Sequence, residues 1–274
     1  GLDDVAREKF ELLREVRPDG FALFPEECLK YPDFLQDSIG SWILSRNDSV
    51  QLPQETLRYQ LEREAGSGRA RLHLRSNFFI KTTFTLPSSG VIGEGMVHNL
   101  AMALGVALRM GICSDVLQER LIRWEPSPLR GEVRIHGRQQ FYVDCYNANP
   151  VSMRDAFSAF TGRFESEPKL FVLGCMDELG EDTVCLHRET GRDLNMGPWD
   201  RAIVHGKQAE ALRDGLLDAG GKADSIAIVV SLEDARAEIE TFEGAILLKG
   251  SRAYGLESLL PKDEAVEERG LAAC

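Results

Sequence analysis

Between Glu132 and Ser251 short apolar runs alternate with amphipathic segments, and this alternation narrows the possible folds more than any other feature of the chain. Glu132 to Ile135 and Gln139 to Asp144 read as a hairpin turning at His136-Gly137. A helix is expected from Pro150, with Ala156, Phe157 and Phe160 on one face. Strands follow at Leu170 to Leu173, Ala202 to Val204, Ile226 to Val230 and Ala245 to Leu248. Helical patterns lie between them after Glu181, over Ala209 to Leu217 and over Leu232 to Phe242, and a final helix is expected after Ser251. That spacing predicts an α/β fold whose second part is a Rossmann-like, mostly parallel, doubly wound sheet.

The first half is less regular. A helix is expected over residues 2 to 16, and Ser41 to Gly90 suggests short strands such as Arg71 to Leu74 and Phe78 to Leu86. An amphipathic helix spans about Met96 to Met110, with Val97, Leu100, Ala101, Leu104 and Leu108 on one side. Pro126-Ser127-Pro128-Leu129-Arg130-Gly131 restricts the backbone on both sides of each proline and reads as a hinge. The domains are therefore expected to be 1–128 and 129–274. The tail from Pro261 is expected to fray.

Composition excludes several partners. A net charge of -12 argues against nucleic acid, and the apolar stretch from Leu100 to Leu108 is too short to cross a membrane. Six scattered cysteines without C-x-x-C spacing read as reduced thiols of a cytoplasmic protein. The histidines show no metal-ligand spacing. The start at Gly1, without an initiator Met, suggests a fragment or a processed chain.

Three segments carry chemistry. The first, Asp144-Cys145-Tyr146-Asn147-Ala148-Asn149-Pro150, sets amides, a phenol and a carboxylate at a strand's carboxyl end, where open α/β sheets bind ligands. Asn149 and Pro150 equally suit the cap and first position of a helix. The second is Leu173-Gly174-Cys175-Met176-Asp177-Glu178-Leu179-Gly180 with His187 downstream, where Glu178 and His187 read as braces. The third is Lys249-Gly250-Ser251-Arg252, whose cations suit a carboxylate or phosphate. Cations at a helix start oppose its dipole, which favours a ligand there.

These segments, in this order, resemble the Y-N-A-N-P, L-G-x-M-x-E-L-G and K-G-S-R motifs of the Mur ligases. The resemblance is greatest to the members that add D-Ala-D-Ala to UDP-MurNAc-tripeptide. It implies a partial Mur-ligase central domain over 1–128, lacking the phosphate loop, and the family's C-terminal domain over 129–274. No G-x-x-G-K-[ST] occurs in the sequence. The implied cofactors are ATP and Mg²⁺, with the substrate carboxylate activated as an acyl phosphate, in a bacterial cytoplasmic enzyme expected to be monomeric.

The resemblance also implies roles. Ala6-Arg7-Glu8-Lys9-Phe10-Glu11 is similar to the helix whose lysine is carbamylated, so Lys9 is a candidate Mg²⁺-associated carbamate. An ordinary solvated lysine is the alternative. Gly93 to Asn99 resembles G-x-H-N-x-x-N, with Gly95 and Met96 where His and Asn are usual, and Asn99 is the candidate adenine contact. Arg130 resembles a hinge arginine that reaches the nucleotide, Asp144 is expected at the ribose, and Tyr146 and Asn147 at the nucleotide. Asn149, Lys249, Ser251 and Arg252 would address the peptide or dipeptide substrate. Cys145 has no histidine beside it in sequence, so a catalytic thiol is not expected.

Overall fold

The computed structural model describes residues 2–35, 40–46, 55–64, 70–87 and 93–261, and its contacts divide the chain into units Gly1–Glu125 and Pro126–Cys274. The tail expected to fray lies, from 262 on, outside the described residues.

In the first unit, α1 (Leu2–Arg14), β1 (Ala22–Pro25), α2 (Pro32–Leu35), β2 (Ser41–Ser45) and β3 (Glu55–Arg63) precede a meander of β4 (Ala70–Ser76) and β5 (Phe79–Thr85). Then come α3 (Glu94–Arg109) and α4 (Ser114–Ile122). The sheet order is β1-β2-β3-β4-β5, parallel as far as β3 and antiparallel beyond it. Every residue of β2 is buried, because both of its faces are covered. Ile43 packs with Leu13 of α1, Phe24 of β1 and Phe34 of α2. Trp42 and Leu44 share the other core with Val97, Leu100, Ala101 and Leu104 of α3. A Cβ at Gly105 would stand 2.2 Å from Leu57 Cδ2, so glycine allows the helix its close approach.

The second unit runs β6 (Glu132–His136), β7 (Gln139–Asp144), α5 (Pro150–Arg163), β8 (Lys169–Gly174), α6 (Thr183–Arg192), β9 (Arg201–His205) and α7 (Ala209–Asp218). It closes with β10 (Ile226–Val229), α8 (Leu232–Thr241) and β11 (Ala245–Lys249). The sheet order is β10-β9-β8-β11-β7-β6, parallel except for the edge strand β6. One face buries Phe141, Val172, Ile203, Ile246 and Leu248 against α8 residues Ala235 and Ile239. On the other face Phe160 of α5 stacks on Tyr142 at 6.2 Å and meets Phe171 edge-on at 5.4 Å.

The topology makes the site. The last strand, β11, inserts between β7 and β8, so segments more than a hundred residues apart end side by side at one carboxyl edge. The helix expected after Ser251 is replaced by two 3-10 turns, Arg252–Tyr254 and Leu256–Leu259. Gly255 separates them in a left-handed conformation (φ 59°), and the buried Leu256 and Leu259 recur at three-residue spacing.

Candidate functional site

Lys249 stands opposite Asp144 in the parallel register of β11 and β7. Its side chain is 1% exposed, with Nζ 2.9 Å from Asp144 Oδ2, and it donates to the Asn147 carbonyl at 2.8 Å. A buried ammonium needs such partners, since an unpaired one would cost several kcal/mol, on the order of the Born penalty remaining after relaxation. Burial pushes the Asp144 carboxyl above the ordinary range, and the Lys249 charge offsets only part of that shift.

The rest of this turn is largely self-satisfied. The Asn147 amide oxygen accepts from Ala148 N at 2.8 Å. Asn149 caps α5: its Oδ1 accepts from Ser152 N at 2.9 Å, and Ser152 Oγ accepts from Asn149 N at 3.0 Å. Tyr146 is half-exposed and carries the Arg130 guanidinium 4.0 Å above its ring, while its own N–H donates to Leu129 O at 3.1 Å. Hinge and turn thus present one flat cationic platform.

On the other side of β11, Ser251 N donates to Cys175 O at 3.1 Å, and Ser251 Oγ accepts from Asp177 N at 2.9 Å. Ser251 is therefore a buried tie between two loops. A Cβ on Gly250 would lie 2.7 Å from Gly174 Cα, so the two strand ends touch through glycines. His187 is fully buried and accepts from Met176 N at 2.9 Å through Nε2. Its Nδ1 then carries the proton and donates to Thr183 O at 2.6 Å. Burial pushes its pKa down, in keeping with a neutral brace.

Arg252 is half-exposed and pairs with Glu257 at 2.8 Å. With 3-10 turns in place of a helix, the dipole conflict expected there has no basis. Burial pushes the Cys145 thiol up to about 12 and Cys175 up to about 11, so both are inert at neutral pH.

Asp177 and Tyr254 have no place among the sequence candidates. Tyr254 Oη donates to Asp177 Oδ1 at 3.3 Å, joining the β8 loop to the β11 turn. Neither residue lies at a named position of the family motifs, so the only sequence signal is the glycine at 206. A Cβ there would stand 2.5 Å from the Tyr254 ring.

In the first unit Lys9 is 60% exposed and pairs with Glu8 at 3.2 Å. Helix α1 does not give it the burial that carbamylation favours. Asn99 is exposed on α3 at an apolar groove of about 510 Å³ lined by Phe21, Leu23, Met102, Ala103 and Val106. Beside it, His98 Nδ1 meets Tyr59 Oη at 3.1 Å.

The 480 Å³ cleft of the second unit, lined by Trp199, Lys222 and Glu238 among others, lies at the amino ends of β9 and β10, opposite the loops. Among the described residues no group of three His, Cys, Asp or Glu is placed to hold a metal. No described helix is long and apolar enough to cross a membrane.

Residues 130–252 match the family described as Mur ligase, glutamate ligase domain. The UDP-N-acetylmuramoyl-tripeptide--D-alanyl-D-alanine ligase of Bacillus subtilis is 27% identical over 185 residues, covering 66% of this chain and 40% of that one. The Mycobacterium bovis ligase of the same description is 32% identical over 191 residues, covering 61% and 37%. The chain thus spans about two fifths of the length of these relatives. A crystal structure of MurF from Acinetobacter baumannii superposes with a TM-score of 0.72 at 24% identity, over 94% of this chain and 55% of that one, which shows a shared fold. The chain is Mur-ligase-like, and residues 130–252 carry that family's glutamate ligase domain.

Proposed function

We propose that the chain is part of an ATP-dependent amide ligase that joins D-Ala-D-Ala to UDP-MurNAc-tripeptide in peptidoglycan precursor synthesis in the bacterial cytoplasm. Residues 1–128 would be the later part of the central ATPase domain and 129–274 the C-terminal domain. The observation that carries this reading is the meeting of the Asp144, Gly174 and Lys249 segments at one sheet edge, tied by Lys249 and Ser251. Electrostatics and positioning are what such a reaction asks of a protein.

Each unit by itself has features that suit part of a nucleotide. In the second, Asp144 keeps one oxygen for ribose hydroxyls and the Arg130–Tyr146 platform offers a flat cationic surface; in the first, Asn99 offers an amide beside an apolar groove suited to a base. ATP, when bound, supplies the phosphoryl group that activates the substrate carboxylate, and Mg²⁺ neutralises phosphate charge. Lys9 would serve Mg²⁺ as a carbamate only if something beyond α1 covered it. Arg252 and the amide nitrogen of Asn149 would face the peptide substrates, whereas Lys249, expected there from the motif, is buried against Asp144 and Asn147 and would act only by fixing that turn.

The alternatives are a non-catalytic, ligand-binding relative and another Mur-like ligase such as folylpolyglutamate synthase; no phosphate loop lies within these 274 residues. For that reason the chain alone is expected to bind nucleotide weakly and release no ADP when given ATP, tripeptide and D-Ala-D-Ala. Dipeptide binding to the chain, followed by NMR, is expected. ADP release proportional to protein would overturn the first expectation, and no dipeptide binding at millimolar concentration would overturn the assignment of the site.

A further inference from the structure

The edge formed by β8, β9 and β11 holds an anchored carboxylate that the reading above does not use. The phenol of Tyr254 donates to Asp177 Oδ1 at 3.3 Å. Asp177 N donates to Ser251 Oγ at 2.9 Å, and His187 fixes the preceding Met176. The Tyr254 ring is seated over Gly206, whose φ of 122° and missing Cβ make the room. Loops from three strands therefore fix where the carboxylate stands. Its second oxygen, Oδ2, has no hydrogen bond or ion pair among the described residues.

The surroundings select the kind of cation. A divalent metal asks for several oxygen ligands, and no group of three candidates is present among the described residues. A primary ammonium asks for one charged acceptor and brings donors for neutral oxygens nearby. Ser251 ties the adjoining turn directly to Asp177, and that turn carries the half-exposed Arg252 guanidinium, held by Glu257 at 2.8 Å. A short zwitterion could set its ammonium on Asp177 and share Arg252 with Glu257.

We propose that Asp177, positioned by Tyr254, is an ammonium subsite that receives the free amino end of the zwitterionic dipeptide, whose carboxylate meets the Ser251–Arg252 turn. The identity of the dipeptide rests on the function proposed above; the ammonium subsite itself does not.

The test is a titration of the 274-residue chain, followed by NMR, with D-Ala-D-Ala, with its N-acetyl derivative and with ethanolamine. Wild type is expected to prefer the free amine over the N-acetyl form by about tenfold, the order of one charge-assisted hydrogen bond. Asp177→Asn should erase that preference while leaving N-acetyl binding unchanged, and Tyr254→Phe should reduce it by about threefold. A purely structural brace would weaken both dipeptides equally, which would overturn the proposal. Binding of D-Ala-D-Ala that ignores Asp177→Asn overturns the subsite and leaves the ligase reading standing. Asp177-dependent binding of ethanolamine without any dipeptide binding keeps the subsite and removes the ligase reading. If wild type binds none of the three, both fall. Matching thermal unfolding curves for both variants confirm that the loop is intact.

Discussion

Lys249 and Lys9 are both candidates by motif, yet they live in opposite environments. Lys249 is 1% exposed, inserted between two strand-end loops and bonded to Asp144 and Asn147. Lys9 is 60% exposed on a helix, and among the described residues its ammonium pairs with the side chain next to it in sequence, Glu8. The difference shows what a site in a parallel sheet requires. A charge becomes a fixed instrument only when the topology removes it from water and supplies partners from another strand. Lys249 has that by virtue of β11 lying between β7 and β8; within the first unit, Lys9 has nothing equivalent.

The largest expected effect is a direct break of this contrast. Lys249→Met leaves Asp144 buried without its cation and should cost about 3–5 kcal/mol in urea unfolding, the range for breaking one side of a buried pair. Lys9→Met should not shift the denaturation midpoint measurably. The pH dependence carries a sign. Asp144 is raised above its unfolded value of 3.8 by burial, so it disfavours the folded state once the pH rises past that value, and the cost is relieved as the pH falls through the folded pKa. Removing Lys249 raises it further, so the penalty of Lys249→Met should shrink as the pH is lowered towards 4. A penalty independent of pH would mean that Asp144 is not the group left uncompensated.

The next break is at the contact between strand ends. Gly250→Ala places a methyl 2.7 Å from Gly174 Cα, a backbone atom that cannot swing aside. It should cost about 1–3 kcal/mol as overpacking. Gly174→Ala meets Gly250 Cα at 3.2 Å and should cost less. Equal midpoints for the two variants in thermal unfolding would show that this approach is softer than the geometry implies.

The second unit was far more legible in sequence than the first, for a physical reason. Its inner strands β7, β8, β9 and β11 are mostly buried and appear as unbroken apolar runs between Gly- and Pro-marked turns, so the hairpin at Gly137 and all four βα repeats stand where periodicity puts them. In the first unit β1 and β2 are only four and five residues long, and α4 shows a weak stripe around one buried residue, Leu121. The strand order was not legible, because nothing local says that β11 returns between β7 and β8. Asp177 and Tyr254 were missed for the same reason, since their contact spans 77 residues. The final helix failed because Gly255 interrupts a pattern whose leucines recur at three, a spacing shared by α and 3-10 turns.

The smallest effect tests the residue whose two readings the sequence left open. Asn149 spends its amide oxygen on the α5 cap, which by general experience with Asn and Asp caps is worth about 1 kcal/mol. Asn149→Ala should lower stability by that amount. Asn149→Asp keeps an equally good cap, so its stability should match wild type, but it loses the amide N–H group that the cap leaves free. If that group meets the peptide substrate, Asn149→Asp should weaken dipeptide binding in the NMR titration with no loss of stability, a split that a pure cap cannot produce. Unchanged binding would return Asn149 to its local role and leave Arg252 as the substrate-facing cation at this edge, since Lys249 is buried.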